Sequence, residues 1–539
     1  MTNSFNSTSV QDKSAGYTLE ELLSIYLFQE LPLSAQEIEQ LDDHLGFSVV
    51  WSDNYEKELT VVDVNGITNG SNENDFLLGA NGDERLKGGK GDDFIWGGEG
   101  NDDLLNVSGK DILIGGSGDD QYVIKNYDSI IVETANNSGK DTAIVYSKGL
   151  DYTIPSNIET LVIEQDSQST RALRKSLFTG SERADIFSSK TDDYIELKGG
   201  KNNDTYIFSS HDNIVITEKA EEGDDWIVAN FKSSADGITE YKIADNVENL
   251  SLKEGSESIT IQGNKGNNII IGNTDDNILR GGEGDDDLDG NAGMNTLAGE
   301  TGDDIYRISS SNSDDNVITE MAEEGDDWIV ANFLSSADDM AEYKIAEHVE
   351  NLILKDDSAN INILGNDSDN TIIGNTQDNF LDGGNGNDHM KGESGKDLLK
   401  GGKGNDYLYG GKGHDTMEGG EGNDVFVVNP DDYESGGNYP DIILDFNSEE
   451  DFVQINTSYE PTEHTNRQFL SQGNFISTTT DQLEGKDGLQ SSAEYVFDES
   501  QGILYHNDNG TEPGVENNQN GILALGANAT LIDENIVIN

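Results

Sequence analysis

The chain has 539 residues, 106 of them acidic against 32 basic, for a formal net charge of -74 at neutral pH. That balance argues against nucleic acid, whose phosphates demand Lys and Arg, and against an anionic membrane surface. There is no Cys, so neither disulfides nor thiolate metal sites exist, and no apolar stretch approaches membrane-spanning length.

The opening stretch, "MTNSFNSTSVQDKSAGYTLEE", lacks the basic start and apolar core of a secretory leader. This leaves either a cytoplasmic protein or one exported by another route. Thr18 with Glu21 and Ser34 with Glu37 read as capping boxes. Leu19, Leu22, Leu23, Tyr26 and Leu27 fit one face of a short amphipathic helix, which Pro32 breaks from a second. Residues 1–69 are therefore expected to be a small helical segment, either a cap on the repeats C-terminal to it or an assembly helix that meets a partner. Trp51 and Trp96 suit a core or cap, with stacking on a ligand as the alternative.

From Gly70 onward the sequence repeats. Residues 70–123 hold six contiguous nine-residue units, "GGKGDDFIW" and "GGEGNDDLL" being the cleanest. A β-rich insert occupies 124–179, then a short imperfect patch ending in "GGKNNDTYI" with a second insert, 180–262. Five units occupy 263–307, a third insert 308–364, and seven units in unbroken phase 365–427. "AEEGDDWIVANF" begins at 220 and again at 322. The alternating apolar residues of "DNIVIT", "DWIVANF" and "ENLSL" read as strands. Residues 428–539 lose the nine-residue phase and read as strands and turns, as in "DIILDF" and "NIVIN".

Each unit opens with glycine, carries Asp at its sixth place and a bulky apolar residue at its eighth. Glycine at places one, two and four permits positive φ and close approach of neighbouring backbone. The expected unit is a coil of one tight turn and one three-residue strand, stacked as a solenoid. The eighth-place residues stack inside: Leu77, Leu86, Ile95, Leu104, Leu113 and Tyr122 in the first array, and Ile372, Leu381, Met390, Leu399, Leu408, Met417 and Phe426 in the third. The sixth-place carboxylates then form a column. At a strand spacing of about 4.8 Å, neighbours repel by roughly 3–4 kcal/mol at an effective dielectric of about 20. A divalent cation between coils reverses that sign. Calcium fits best, because it accepts hard carboxylate and carbonyl oxygens in flexible geometry; magnesium is stricter and keeps its water. Zinc would want His or Cys. Without cation the glycine-rich coils are expected to be unfolded or loose.

At these residues the chain resembles the RTX (repeats-in-toxin) family, whose unit is G-G-x-G-x-D-x-U-x and whose repeat is a known calcium binder. The resemblance implies an all-β fold: tandem parallel β-roll arrays with β-rich inserts, a helical N-terminal cap and a β C-terminal segment. It implies multiple Ca2+ ions, each held by backbone carbonyls and a sixth-place Asp. In the first array the implied ligands are Gly89, Gly91, Asp93, Gly98, Gly100, Asp102, Asp111, Gly116, Gly118 and Asp120. Asp204 belongs to the imperfect patch, and Gly282, Gly284, Asp286 and Asp304 to the second array. The third array supplies Gly384, Gly386, Asp388, Gly395, Asp397, Gly402, Gly404, Asp406, Gly411, Gly413, Asp415, Gly420, Gly422 and Asp424, and is expected to bind best. Glu84 stands where the pattern has Asp, and Asn268, Asn277, Asn295, Asn370 and Asn379 hold the sixth place elsewhere. An Asn oxygen can ligate but brings no charge, so those sites are expected to be weak or empty; they fall mainly at array beginnings, where no preceding coil is expected to complete a site. Asp225 and Asp327 in the inserts read first as solvated turns, with calcium ligation the sharper alternative. The acidic-then-apolar end, "LIDENIVIN", resembles a type I secretion signal, which implies export, unfolded, through type I machinery, and folding in extracellular calcium.

Catalytic signatures are missing: there is no H-E-x-x-H and no G-x-S-x-G, and "GESGKD" at Gly392 fails the spacing. His348, His389 and His506 are expected to be exposed or structural. The reading is a secreted, non-enzymatic, calcium-binding β-roll protein of a surface layer, matrix or filament, with possible self-association. A calcium-dependent adhesin gripping carbohydrate or a partner cell is one rival, and a secreted enzyme with an unrecognised site is another.

Overall fold

A computed structural model describes residues 59–61 and, with short breaks, 67–455, then the strands Gln468–Phe469, Phe475–Thr478, Tyr495–Asp498, Ile503–His506, Gly521–Leu525 and Ile536–Ile538. The helices expected within 18–45, and Trp51, lie outside the described residues. All regular structure among the described residues is β-strand. The chain divides into two units, Met1–Ile227 and Val228–Asn539.

In the first unit, short strands alternate between two parallel sheets. Phe76–Leu78 pairs with Phe94–Glu99, which pairs with Ile112–Ser117. Ile67–Asn69, Arg85–Lys87, Asp103–Leu105 and Gln121–Ile124 form the facing sheet. The partner of Leu77 is thus Ile95, and the partner of Leu86 is Leu104. This corrects the nine-residue coil. One turn of the solenoid takes two units, one per sheet, so the eighth-place residues form two facing stacks and not one. The cause is geometric: a three-residue strand and its tight turn reverse the chain once, and a second unit is needed to bring it back above its start.

Interior placement of the eighth-place side chains is borne out. From Leu77 to Tyr122, from Ile270 to Tyr306 and from Ile372 to Phe426, every one is 0% exposed. The inserts are further rungs of the same sheets. Thr142–Ser147 pairs in parallel with Gln121–Ile124 below and Thr160–Gln165 above. In the second unit, Ile305–Ser310, Trp328–Phe333, Asn351–Leu354 and Thr371–Ile373 succeed one another in unbroken parallel order. The duplicated inserts pack alike: Phe231 lies on Tyr241 with ring centroids 4.9 Å apart, and Phe333 on Tyr343 at 5.1 Å. Toward the C-terminus the pairing changes direction. Gly521–Leu525 is parallel to Asp441–Ile443 but antiparallel to Ile503–His506, which is antiparallel to Tyr495–Asp498. His506 is therefore on a strand. Ile536–Ile538, from the tail, adds a parallel rung beside Phe452–Ile455.

Glycine is required where one turn rests on the next. A Cβ on Gly404 would lie 1.8 Å from the carbonyl oxygen of Gly386, and its φ of 130° is one that L side chains rarely adopt. Leu399→Ala, by contrast, is compatible with the backbone and removes only packing. It is expected to cost about 2–5 kcal/mol, read by urea denaturation in saturating calcium; a loss below about 1 kcal/mol would contradict a close-packed interior.

Candidate metal centre

The sixth-place aspartates form a hydrogen-bonded ladder with a period of 18 residues. One oxygen of each accepts the backbone N–H of the sixth-place residue one turn earlier. Asp406 Oδ1 accepts from Asp388 N at 2.8 Å, Asp415 Oδ1 from Asp397 N at 2.8 Å, and Asp424 Oδ1 from Asp406 N at 2.9 Å. The first array repeats this from Asp75 N to Asp93, Glu84 N to Asp102, Asp93 N to Asp111 and Asp102 N to Asp120, at 2.7–2.9 Å. Asp286 N donates to Asp304 at 2.7 Å in the second. The turn places these side chains inward, so that they are 0–2% exposed.

The second oxygen has a different fate. In Asp102, Asp120, Asp204, Asp286, Asp304, Asp388, Asp397, Asp406 and Asp424, Oδ2 is buried and accepts no hydrogen bond. It lies against the first-place glycine. A Cβ on Gly401 would stand 2.3 Å from Asp406 Oδ2 and 2.5 Å from the carbonyl oxygen of Gly419. A buried carboxylate left this way is costly. Burial pushes these carboxyls up, the ladder hydrogen bond lowers them again, and neighbouring carboxylates raise them further. Asp406 reaches about 6. Asp102, Asp388 and Asp424 reach about 7, and Asp204, Asp286 and Asp397 about 8.

Backbone oxygens line the same grooves. Gly402 stacks on Gly384 and Gly420 on Gly402, each with its missing Cβ 2.1 Å from the carbonyl oxygen below. Gly404 rests on Gly386, Gly422 on Gly404 and Gly413 on Gly395, while Gly411 lies over the carbonyl of Glu393. In the first array Gly116 rests on Gly98 and Gly118 on Gly100; in the second, Gly302 rests on Gly284, and Gly282 over the carbonyl of Asn264. Gly89 covers the carbonyl of Ser71, and Gly109 that of Gly91. The expected glycines thus fall into columns of carbonyls beside the carboxylates. This all-oxygen set, with unsatisfied buried oxygens at its centre, suits a hard cation such as calcium. Asp111 differs, because Asn106 replaces its first-place glycine and donates Nδ2 to Asp111 Oδ2 at 2.7 Å.

Two expectations need correction. Asp225 and Asp327 are not solvated turns: each is 1% exposed and continues the ladder, accepting from Asp204 N at 2.8 Å and Asp304 N at 2.9 Å. Nor do the Asn units lack a preceding coil. Asn249–Leu252 pairs with Ile269–Ile271, and Asn351–Leu354 with Thr371–Ile373. The Asn amides instead supply the positive groups themselves. Asn264 Nδ2 donates to the carbonyls of Ala244 and Val247, each at 2.7 Å, and Asn366 Nδ2 to those of Ala346 and Val349 at 2.6 and 2.8 Å. Asn268 and Asn370 likewise turn Nδ2 toward the preceding turn.

Several ladder members were not anticipated. Asp141 accepts from Asp120 N, Asp441 from Asp415 N and Asp451 from Asp424 N, at 2.9–3.0 Å. The signal for Asp141, Asp225 and Asp327 is the half-unit G-x-D at 139–141, 223–225 and 325–327, which keeps the fourth-place glycine and sixth-place acid inside the inserts. His348 and His389 are exposed; the His389 ring lies edge-on to Tyr407 with centroids 4.6 Å apart.

A parallel solenoid with two nonapeptides per turn and a ladder of buried carboxylates defines a calcium-binding β-roll. The family model described as the RTX calcium-binding nonapeptide repeat (4 copies) matches residues 69–105, 107–122, 260–288, 364–399 and 391–426. These stretches of the chain are RTX, hemolysin-type calcium-binding repeats, and they bind multiple calcium ions. No curated protein matches the chain.

The raised carboxyls fix a sign for pH. Above pH 4 the calcium-free fold holds more protons than the unfolded chain, so its stability is greatest below that point and is lost as pH rises through 6 to 8. The β-sheet circular dichroism of the chain in EGTA is expected to fall between about pH 5 and pH 8. Calcium added at about pH 6.5 is expected to release protons into a weakly buffered solution. An unchanged signal with no proton release would contradict a ladder of buried, proton-holding carboxyls.

Proposed function

We propose that this is a secreted protein that folds on meeting extracellular calcium and then serves a structural or interaction role, as a component of a surface layer, matrix or filament. The observation that carries this reading is the set of buried carboxylate oxygens without a hydrogen-bond donor. Such a fold needs a cation from its surroundings, and an environment rich in calcium supplies one. In this reading Asp93, Asp102, Asp120, Asp286, Asp304 and the third-array aspartates are calcium ligands, together with the carbonyls of their second- and fourth-place glycines. Arrays 70–123, 263–307 and 365–427 carry most of the ions. Residues 1–69 cap the stack or meet a partner. Export passes through type I machinery, for which an unfolded chain in low calcium is the suitable substrate. No residue of the arrays is assigned a catalytic role.

Circular dichroism recorded together with light scattering, during a calcium titration of the purified chain, tests this. A cooperative gain of β-structure, then a reversible rise in scattering that EGTA abolishes, is the expected result. Folding without any change in scattering would leave a monomeric binding role and contradict assembly. No gain of structure at millimolar calcium would contradict the reading as a whole.

A further inference from the structure

Where the ladder leaves the first array, a third carboxylate joins it. One residue beyond the pair Ile114 and Val132, Glu133 stands over the first-place glycine Gly115. The Tyr122 hydroxyl accepts from Gly115 N at 2.7 Å and donates to Glu133. One oxygen each of Asp120, Glu133 and Asp141 lie within 4.8 Å of one another, and all three residues are buried. The same arrangement recurs after the imperfect patch. Glu218 takes the first place after Gly199, accepts from Gly199 N at 2.6 Å and from the Tyr206 hydroxyl, and converges with Asp204 and Asp225 within 4.8 Å. After the second array, Glu320 accepts from Gly299 N at 3.0 Å beside Asp304 and Asp327. The nonapeptide pattern has no acid at its first place, so these glutamates are departures from it at corresponding points.

The acids alone would not make a site. Here, though, Asp120 Oδ2 and Asp204 Oδ2 sit in 1% and 0% exposed side chains and accept no hydrogen bond. Three carboxylates drawn together in a dry interior repel strongly unless a cation lies among them.

We infer that Asp120–Glu133–Asp141 and Asp204–Glu218–Asp225 are two closing calcium sites of a second kind, each with three carboxylates, which bind more tightly than the array sites and fill first. Affinity of oxygen sites for calcium rises with ligand charge and rigidity. An array position contributes one acid per nonapeptide, whereas these positions converge three, held by backbone N–H groups and a buried tyrosine. The inference rests on calcium binding by the repeats and adds the site type and the order of filling. It also gives the two tyrosines a diagnostic role, because their hydroxyls touch the ligating glutamates and can transfer excitation to a bound terbium ion.

The test is calcium binding to the full chain by competition with a chromophoric chelator, alongside terbium titration with tyrosine excitation. The parent is expected to show two early equivalents at least about tenfold tighter than the rest, with sensitised emission. E133Q combined with E218Q should lose both early equivalents, while the weaker sites and the calcium-induced β-sheet signal persist. Y122F combined with Y206F keeps every carboxylate, and should retain tight binding with reduced emission. Tight early sites that survive the glutamate changes, or emission untouched by the tyrosine changes, would overturn the assignment. A parent chain that gains no structure with calcium would instead refute calcium-driven folding, and so the two failures are distinguishable.

Discussion

Every level of this structure depends on one constraint: carboxylates of like charge are stacked one above another inside the protein. Each is half satisfied. Its Oδ1 takes an N–H from the turn below, which fixes its direction, and in nine of them Oδ2 is left in a groove of glycine and carbonyl without a donor. The polypeptide supplies geometry and negative charge, and calcium supplies the attraction. Glycine is dictated by the same constraint, because a side chain at Gly402 or Gly404 would occupy the carbonyl positions of the turn beneath. Within the arrays the eighth-place residues carry most of the apolar burial, about 2 kcal/mol for each Leu, against the larger entropy of ordering nine residues.

The Asn units show what the fold does where charge is absent. Asn264 and Asn366 place an amide NH2 among the carbonyls of the turn below, so those carbonyls already have a donor. They lie where an insert hands over to an array, which gives the stack neutral rungs between charged runs. The inserts are thus continuous with the arrays in hydrogen bonding, although their sequence departs from the nonapeptide. Asp141, Asp225 and Asp327 keep the ladder going while the loops beside them lengthen, from 18 residues to 21 or 23.

Much of this was legible in the sequence. The nine-residue interval places Leu399 and Leu408 inside, which holds, and Asp397 and Asp406 in one column, which does not: Asp397 ladders with Asp415 and Asp406 with Asp388, 18 residues away. The two-unit turn was not legible, because an interval of nine is equally compatible with one coil per unit; only the pairing of Leu77 with Ile95 decides it. Asp225 and Asp327 were misread because a Gly-Asp-Asp run in a non-repeating context looks like a solvated turn, and burial depends on rungs distant in sequence. The glutamates at 133, 218 and 320 carry no local signal. They become conspicuous only when the first-place position of the next turn is known.

The most direct test of a cation-held ladder is hydrogen exchange at the ladder amides themselves. The N–H groups of Asp388, Asp397 and Asp406 donate to buried carboxylates, so their protection reports the ladder and little else. With saturating calcium they are expected to be among the slowest amides in the chain, and in EGTA at about pH 8 to exchange at nearly unprotected rates. Equal protection in both conditions would contradict the dependence of this fold on metal.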